Sequence, residues 1–187
     1  MPNHILSRSK GASGFMDPEK IVNSFGVERG ETVADFGSGA GYFAIPLAKK
    51  VSAKGKVYAI DILKDSLAII DAKASRENLV NVVLLQADLE KEKSTTIEDD
   101  SVNWVIMANI LFQLNNKSSI FREAKRALKP AGKIIVIDWL PGKTAIGPSD
   151  SSRISPEQVR IFALSNNLRE IKYWFPDPYH YGFIFIK

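Results

Sequence analysis

The 187-residue chain has no cysteine and only two histidines, His4 and His180, far apart in sequence. Without cysteine there is no disulfide, no thiolate metal site and no thiol nucleophile. Two distant histidines leave a histidine-rich zinc site without ligands, so no metal site is expected. Long apolar runs are also missing. The opening MPNHILSRSK lacks the apolar core of a signal peptide, and no stretch approaches a membrane span. The expectation is therefore a soluble, cytoplasmic protein. Disorder is excluded in turn, because 45% of the residues are hydrophobic.

Charge of either sign is not in large excess, with 25 basic against 21 acidic residues. The spread is uneven, since residues 112–187 carry 12 basic and 6 acidic side chains. A basic C-terminal half suits an anionic substrate or RNA. The plainer reading is that Lys117, Arg122, Lys125, Arg126 and Lys129 form the wet side of a helix.

Strand-like and helix-like segments alternate along the chain. Asp17-Pro18-Glu19 reads as an N-cap, a first-turn proline and an acidic first turn, and Gly26 ends that helix. Strands are expected at 32–36, 56–60, 81–85, 102–107 and 133–138. Helices are expected at 42–51, 63–74 and 118–128, with a short helix plus loop over 90–100. Near-continuous apolar strands separated by helices imply a parallel sheet covered on both faces. With right-handed crossovers this is a doubly wound α/β domain. Residues 141–155 read as a loop and 156–165 as a helix. The runs 171–175 and 181–186 are joined by Pro176-Asp177-Pro178, too short for a crossover helix, so they are expected to pair as an antiparallel hairpin. Residues 1–187 are read as one domain, with 1–16 as a flexible segment or lid.

The strongest chemical signal is Asp35-Phe36-Gly37-Ser38-Gly39-Ala40-Gly41, where the first strand meets its helix. Glycines there allow a sharp turn and a close approach of ligand to main chain. Any tight strand-to-helix turn can carry glycines, but this one has an acid two residues ahead of them. Asp61 ends the second strand 20 residues after Gly41, where an acid can bind ribose hydroxyls. Asp88 follows the third. Singly, each acid reads equally as a helix cap or a loop residue. Three acids at the ends of three successive strands point to one crevice.

The ligand can be narrowed further. The pattern is G-x-G-x-G, with Tyr42 where a dinucleotide site has its third glycine, and no P-loop Gly-Lys-Ser/Thr occurs. Asp35 would repel a pyrophosphate, since two unit charges about 4 Å apart interact by roughly 4 kcal/mol at an effective dielectric near 20. The same carboxylate favours an adenosine joined to a cationic tail.

Residues 33–41 resemble the first motif of class I S-adenosylmethionine-dependent methyltransferases. Residues 57–61, 86–89, 103–109 and 126–133 resemble their later motifs, in order, and the closing hairpin resembles their antiparallel seventh strand. Within that superfamily the chain is most similar to the small UbiE-like (ubiquinone/menaquinone-type) methyltransferases. The resemblance implies a Rossmann-like, mostly parallel seven-stranded sheet with helices on both faces. It also implies S-adenosyl-L-methionine as cofactor and S-adenosyl-L-homocysteine as product. Asp35 would bind the methionyl ammonium, and Gly37, Ser38, Gly39 and Gly41 would pass under the cofactor. Asp61 would hold the ribose, Ile62 pack on adenine, Asp88 accept from its amino group, and the Leu89 backbone lie beside it. Asn109 and Ile110 would line the sulfonium end and face the acceptor, with Phe15 and Met16 closing from the N-terminal side or packing in the core.

Transfer from a sulfonium is an in-line displacement that needs alignment above all, and a hydroxyl or carbon acid as acceptor also needs a base. The candidates are Asp138, His180, Tyr42 and His4, although a histidine in a hairpin reads first as a surface residue. Residues 109–112, Asn-Ile-Leu-Phe, depart from the Asn/Asp-Pro-Pro-Tyr/Phe motif of amino-group methylases, which counts against exocyclic amines of bases as acceptors. A small-molecule acceptor is expected. RNA or protein methylation and a non-catalytic cofactor-binding module are the alternatives, and the oligomeric state is not written in the chain.

Overall fold

The computed structural model describes residues 16–142 and 145–187. Residues 1–15 of the segment proposed as a lid, His4 and Phe15 among them, lie outside the described residues, and Met16 lies within them. Five strands run parallel: β1 (Thr32–Phe36), β2 (Lys56–Asp61), β3 (Val82–Gln86), β4 (Val102–Ala108) and β5 (Leu128–Trp139). β6 (Arg169–Trp174) and β7 (His180–Ile186) complete the sheet in the order β3-β2-β1-β4-β5-β7-β6, with β7 antiparallel to both neighbours. The hairpin therefore inserts its second strand next to β5 and leaves β6 at the edge. The order reverses between β1 and β4, which makes their C-terminal ends the switch point where such sheets bind ligands.

Alternate strand residues feed two layers. Ala34, Phe36, Val105, Met107, Ile134 and Val136 join the core under α4 (Lys117–Ala127) and α5 (Pro156–Ser165). Val33, Trp104, Ile106, Ile135 and Ile137 face the core under α1 (Pro18–Ser24), α2 (Ala44–Val51) and α3 (Lys64–Arg76). This period of two is why apolar runs without polar gaps mark strands buried on both faces. The caps follow the sequence. Asp17 accepts from the Glu19 and Lys20 amides at 3.1 and 3.2 Å, and Ser155 and Gln158 form a reciprocal capping box. None of the helices of the described residues is long and apolar enough to cross a membrane.

Two expectations are corrected. Residues 90–100 form turns and no helix. Glu90 there turns its carboxylate to the Asn115 and Asn116 amides at the start of α4, and Thr95 is held by Glu123. β5 begins at Leu128, five residues before Lys133, because Leu128 pairs with Val102 and the register shift that follows absorbs Lys129-Pro130-Ala131-Gly132 inside the strand. Residues 141–142 and 145–155 keep the expected loop, with one 3₁₀ turn at Asp150–Ser152. The Arg153 guanidinium donates to the carbonyls of Leu140, Ile146 and Pro148 at 2.8, 2.7 and 3.0 Å.

Candidate active site

The turn after β1 is built by backbone geometry that only certain residues adopt easily. Gly37, Gly39 and Gly41 all have positive φ, at 76°, 49° and 84°. A Cβ on Gly37 would stand 2.1 Å from Ile110 Cδ1, and one on Gly41 would stand 3.0 Å from Ile70. Nothing lies within 4 Å of a Cβ on Gly39. Two of the glycines therefore pack the turn onto the fold, and Gly39 alone opens to space. Ser38 is buried and donates to the Ile60 carbonyl at 3.2 Å, which pins the turn to the end of β2.

A cavity of about 460 Å³ lies beside this turn, at the switch point. Asp35, Gly37, Ser38, Gly39, Tyr42, Asn109 and His180 line it, together with Met16 and Trp139. Asp35 is 2% exposed and its Oδ2 has no hydrogen-bond partner among the described residues. Burial pushes its pKa up to about 7; the nearby Asp61 charge adds to the rise and the Ala44 amide opposes it. A buried carboxyl with a bare oxygen calls for a cationic or hydrogen-bonding guest.

The other acids are placed differently. Asp61 does not line the cavity, but its Oδ2 accepts from the Gly39 amide at 2.8 Å and its Oδ1 from Leu63 at 2.9 Å. Asp88 lies further along the strand edge, accepts from the Glu90 amide at 3.0 Å and pairs with Lys91 at 3.4 Å. Ile62 is 55% exposed and free to cover a ligand face, whereas Leu89 is buried. Ile110 packs against Gly37 from within the core, and Gly41 also stands outside the cavity lining. Asn109, with φ of 54°, keeps an unpartnered buried Oδ1.

Among the base candidates the structure reverses one reading. His180 is not a surface residue of the hairpin; it is 1% exposed and lies against Trp139, with ring centroids 4.1 Å apart. Its Nδ1 stands 2.9 and 2.8 Å from the two carboxylate oxygens of Asp177, and Nε2 has no partner among the described residues. Asp138 is wholly buried, outside the lining, and both oxygens are engaged, by the Leu111 amide at 3.1 Å and the Trp139 amide at 2.8 Å. Burial raises its pKa to about 7, against those two amides. Tyr42 lines the cavity and donates its hydroxyl to the Met16 carbonyl.

Met16, expected to close from the N-terminal side or to pack in the core, lines the cavity, and so do Gln113 and Trp139, which nothing in local spacing marks for it. They come from three segments that only the fold brings together. The basic α4 face is largely occupied internally. Arg126 pairs with the buried Glu123 and with Asp99, Arg122 with Glu92, and Lys129 donates to Asn103. These pairs neutralise Arg126 and Arg122 locally, which weakens the case for this face as a nucleic-acid surface. Among the described residues no group of three or more histidine or acidic side chains is placed to hold a metal ion.

The methyltransferase domain family matches residues 27–160. An arsenite methyltransferase of Aquipseudomonas alcaligenes is 35% identical over 111 residues, covering 57% of this chain and 32% of that protein. The ubiquinone/menaquinone biosynthesis C-methyltransferase UbiE of a Marinomonas species is 27% identical over 162 residues, covering 75% and 63%. The fold is similar to that of a SAM dependent methyltransferase from Aquifex aeolicus, with a TM-score of 0.84 and 30% identity over 91% of this chain and 89% of that one. The chain spans about a third of the arsenite relative and under two thirds of the quinone relative.

Proposed function

The chain belongs to the methyltransferase domain family, in its class I S-adenosylmethionine-dependent branch, and from that premise we propose that residues 1–187 act as one domain that methylates a small molecule. One observation carries the reading: a buried carboxyl with a bare oxygen, Asp35, faces the same cavity as the one glycine of the turn whose Cβ position is open, Gly39. That pair fits the ammonium and the chain of S-adenosylmethionine. When bound, the cofactor supplies a methyl group already activated on a sulfonium.

The residues then divide the work. Asp35 binds the ammonium, and Gly37, Ser38 and Gly39 carry the backbone past it. Asp61 shares its carboxylate between the Gly39 amide and the ribose hydroxyls, which couples ribose binding to the shape of the turn. Ile62 covers the adenine, Asp88 accepts from its amino group, and Leu89 backs it. Asn109 faces the sulfonium end, held in place by Ile110. Tyr42, Trp139 and Met16 exclude water and give the acceptor an apolar wall. Alignment of this kind is worth effective molarities of about 10⁵–10⁸ M. The cavity and the occupied α4 face support a small acceptor over RNA or protein, and the lack of cysteine supports a cytoplasmic setting.

Calorimetry with S-adenosylmethionine and with NAD, followed by transfer of labelled methyl from the cofactor to metabolite, RNA and protein fractions, tests the proposal. Binding of S-adenosylmethionine alone and label in the metabolite fraction are expected. Label confined to RNA or protein would overturn the acceptor class. Tight binding with no transfer to any fraction would reduce the domain to a binding module.

A further inference from the structure

Resting on the methyl-transfer reading, we propose that His180, oriented by Asp177, is the general base that takes the proton from a hydroxyl-bearing acceptor. The Pro176-Asp177-Pro178 turn fixes the orienting group first. Asp177 Oδ1 accepts from the Tyr179 and His180 amides at 2.7 and 2.9 Å, so its carboxylate is locked before it meets the ring. Both oxygens then lie within hydrogen-bond distance of Nδ1, with the two side chains 4% and 1% exposed. A carboxylate on Nδ1 makes that nitrogen the N–H donor and leaves the lone pair on Nε2. Nε2 is the nitrogen without a partner, on a residue that lines the cavity and is braced by Trp139.

A histidine kept only to staple the hairpin would have both nitrogens satisfied. This one is left with a basic atom bare, on a residue that lines the same cavity as Asp35 and as Asn109, whose Oδ1 is equally bare. The charged surroundings are mixed. Asp177 favours the imidazolium from the turn, Asp138 of β5 lies beside Trp139, and Arg153 opposes protonation from the loop before α5. Tyr42, which also lines the cavity, is drawn upward in pKa first by burial and then by Asp17 and Asp177. Burial dominates at His180 and holds the imidazole below its ordinary range, so it is neutral and proton-accepting near pH 7.

The step balances without another reagent. The acceptor O–H bond breaks and its proton goes to Nε2. The oxygen lone pair forms the new bond to the methyl carbon, and the electron pair of the broken carbon–sulfur bond stays on sulfur. The imidazolium rests against Asp177 and returns its proton to water. Asp177 is a positioning residue; His180 is the catalytic one. A hydroxyl acceptor, neutral at physiological pH, gives such a base a purpose, as a carbon acid would, whereas a thiolate or free amine needs none.

The two histidines of the chain make the test readable by nitrogen NMR on protein loaded with S-adenosylhomocysteine, with His180→Gln assigning the signal. A neutral His180 at about pH 7.5, protonated on Nδ1 and titrating below an ordinary imidazole, is expected. Asp177→Asn should lose that tautomer preference. With labelled S-adenosylmethionine, 4-methylphenol and 4-methylbenzenethiol are the acceptor probes. His180→Gln should cut phenol methylation about a hundredfold or more, and thiol methylation less than tenfold. The wild-type phenol rate should rise with pH through the His180 midpoint. An imidazolium at about pH 7.5, a proton on Nε2, or equal losses on both probes would overturn the proposal. Should the wild type methylate neither probe, the tautomer and the midpoint decide alone. Absence of S-adenosylmethionine binding by calorimetry would instead sink the methyl-transfer reading, and the tautomer result would still stand.

Discussion

On the β1–β3 side of the switch point the acids are tied to the main chain: Asp61 holds the Gly39 and Leu63 amides, and Asp88 holds that of Glu90. On the β4–β7 side, polar atoms stand bare among aromatic rings, Asn109 Oδ1 and His180 Nε2 beside Trp139 and Tyr42. Asp35, on the boundary, has the bare oxygen of the second kind. Tied groups shape a loop before any ligand arrives. Bare buried groups cost stability until a ligand satisfies them, and they mark where its polar atoms go. One side of the site is thus a mould and the other a set of open valences.

The sharpest way to break this division is inside the glycine turn. Gly37→Ala should cost the fold about 2–5 kcal/mol in urea unfolding, the sum of left-handed strain and overpacking against Ile110. Gly39→Ala meets nothing within 4 Å, so it should cost the fold only about 1–2 kcal/mol and remove cofactor binding. Equal unfolding in both variants would mean that Gly39 serves the turn and no ligand passes over it.

Asp35 gives the next largest effect, and its sign is set by burial. Its folded-state pKa of about 7 lies above the ordinary carboxylate value, so the folded protein holds a proton that the unfolded chain releases. Stability from this group is therefore present at low pH and is lost as pH rises from about 4 to about 7, by up to about 1.4 kcal/mol per pH unit. Asp35→Asn lacks this loss, so its advantage in urea melts should grow across that window and level off above it. Cofactor binding should also expel the proton below pH 7 in the wild type, seen by calorimetry in two buffers of different ionisation heat. No proton release would place the cationic group elsewhere.

Much of the mould was legible in the sequence, because its signals are local. Thr32–Phe36 lies where its apolar run and Asp35 put it, and Lys56–Asp61 and Val82–Gln86 lie within a residue of their expected bounds. What escaped depends on distant partners. Glu90 is drawn to the Asn115 and Asn116 amides just ahead of α4, and Lys129–Gly132 reads as a break between helix and strand until Leu128 finds Val102. Ala131 supplies the kink at φ 61° inside the strand. The open valences escaped for the same reason: His180 becomes buried only when β7 pairs with β5 and sets it opposite Trp139.

Asp61 sharpens the comparison because it sits on the mould side yet is expected to touch ligand. Asp61→Ala removes a charged acceptor from two amides and from the ribose. Cofactor affinity should fall by about 1–3 kcal/mol in calorimetry, with a smaller loss in unfolding free energy because the side chain is partly exposed. An unchanged dissociation constant would leave Asp61 with the turn alone.

Asn109→Gly should show the smallest effect on the fold, and it separates the two sides most cleanly. Asn109 has φ of 54°, a conformation glycine takes without steric cost, so unfolding free energy should shift by less than about 1 kcal/mol. The bare Oδ1 disappears, and burial of an unsatisfied oxygen disappears with it, which offsets the entropy glycine adds to the unfolded chain. Cofactor affinity should change little, because Asp35 and the glycine turn are untouched. Turnover should fall through poorer placement of the acceptor, read as a drop in kcat at saturating S-adenosylmethionine. A variant that instead lost cofactor affinity as strongly as Asp61→Ala would move Asn109 to the mould and shrink the acceptor side to the wall around Trp139 and His180.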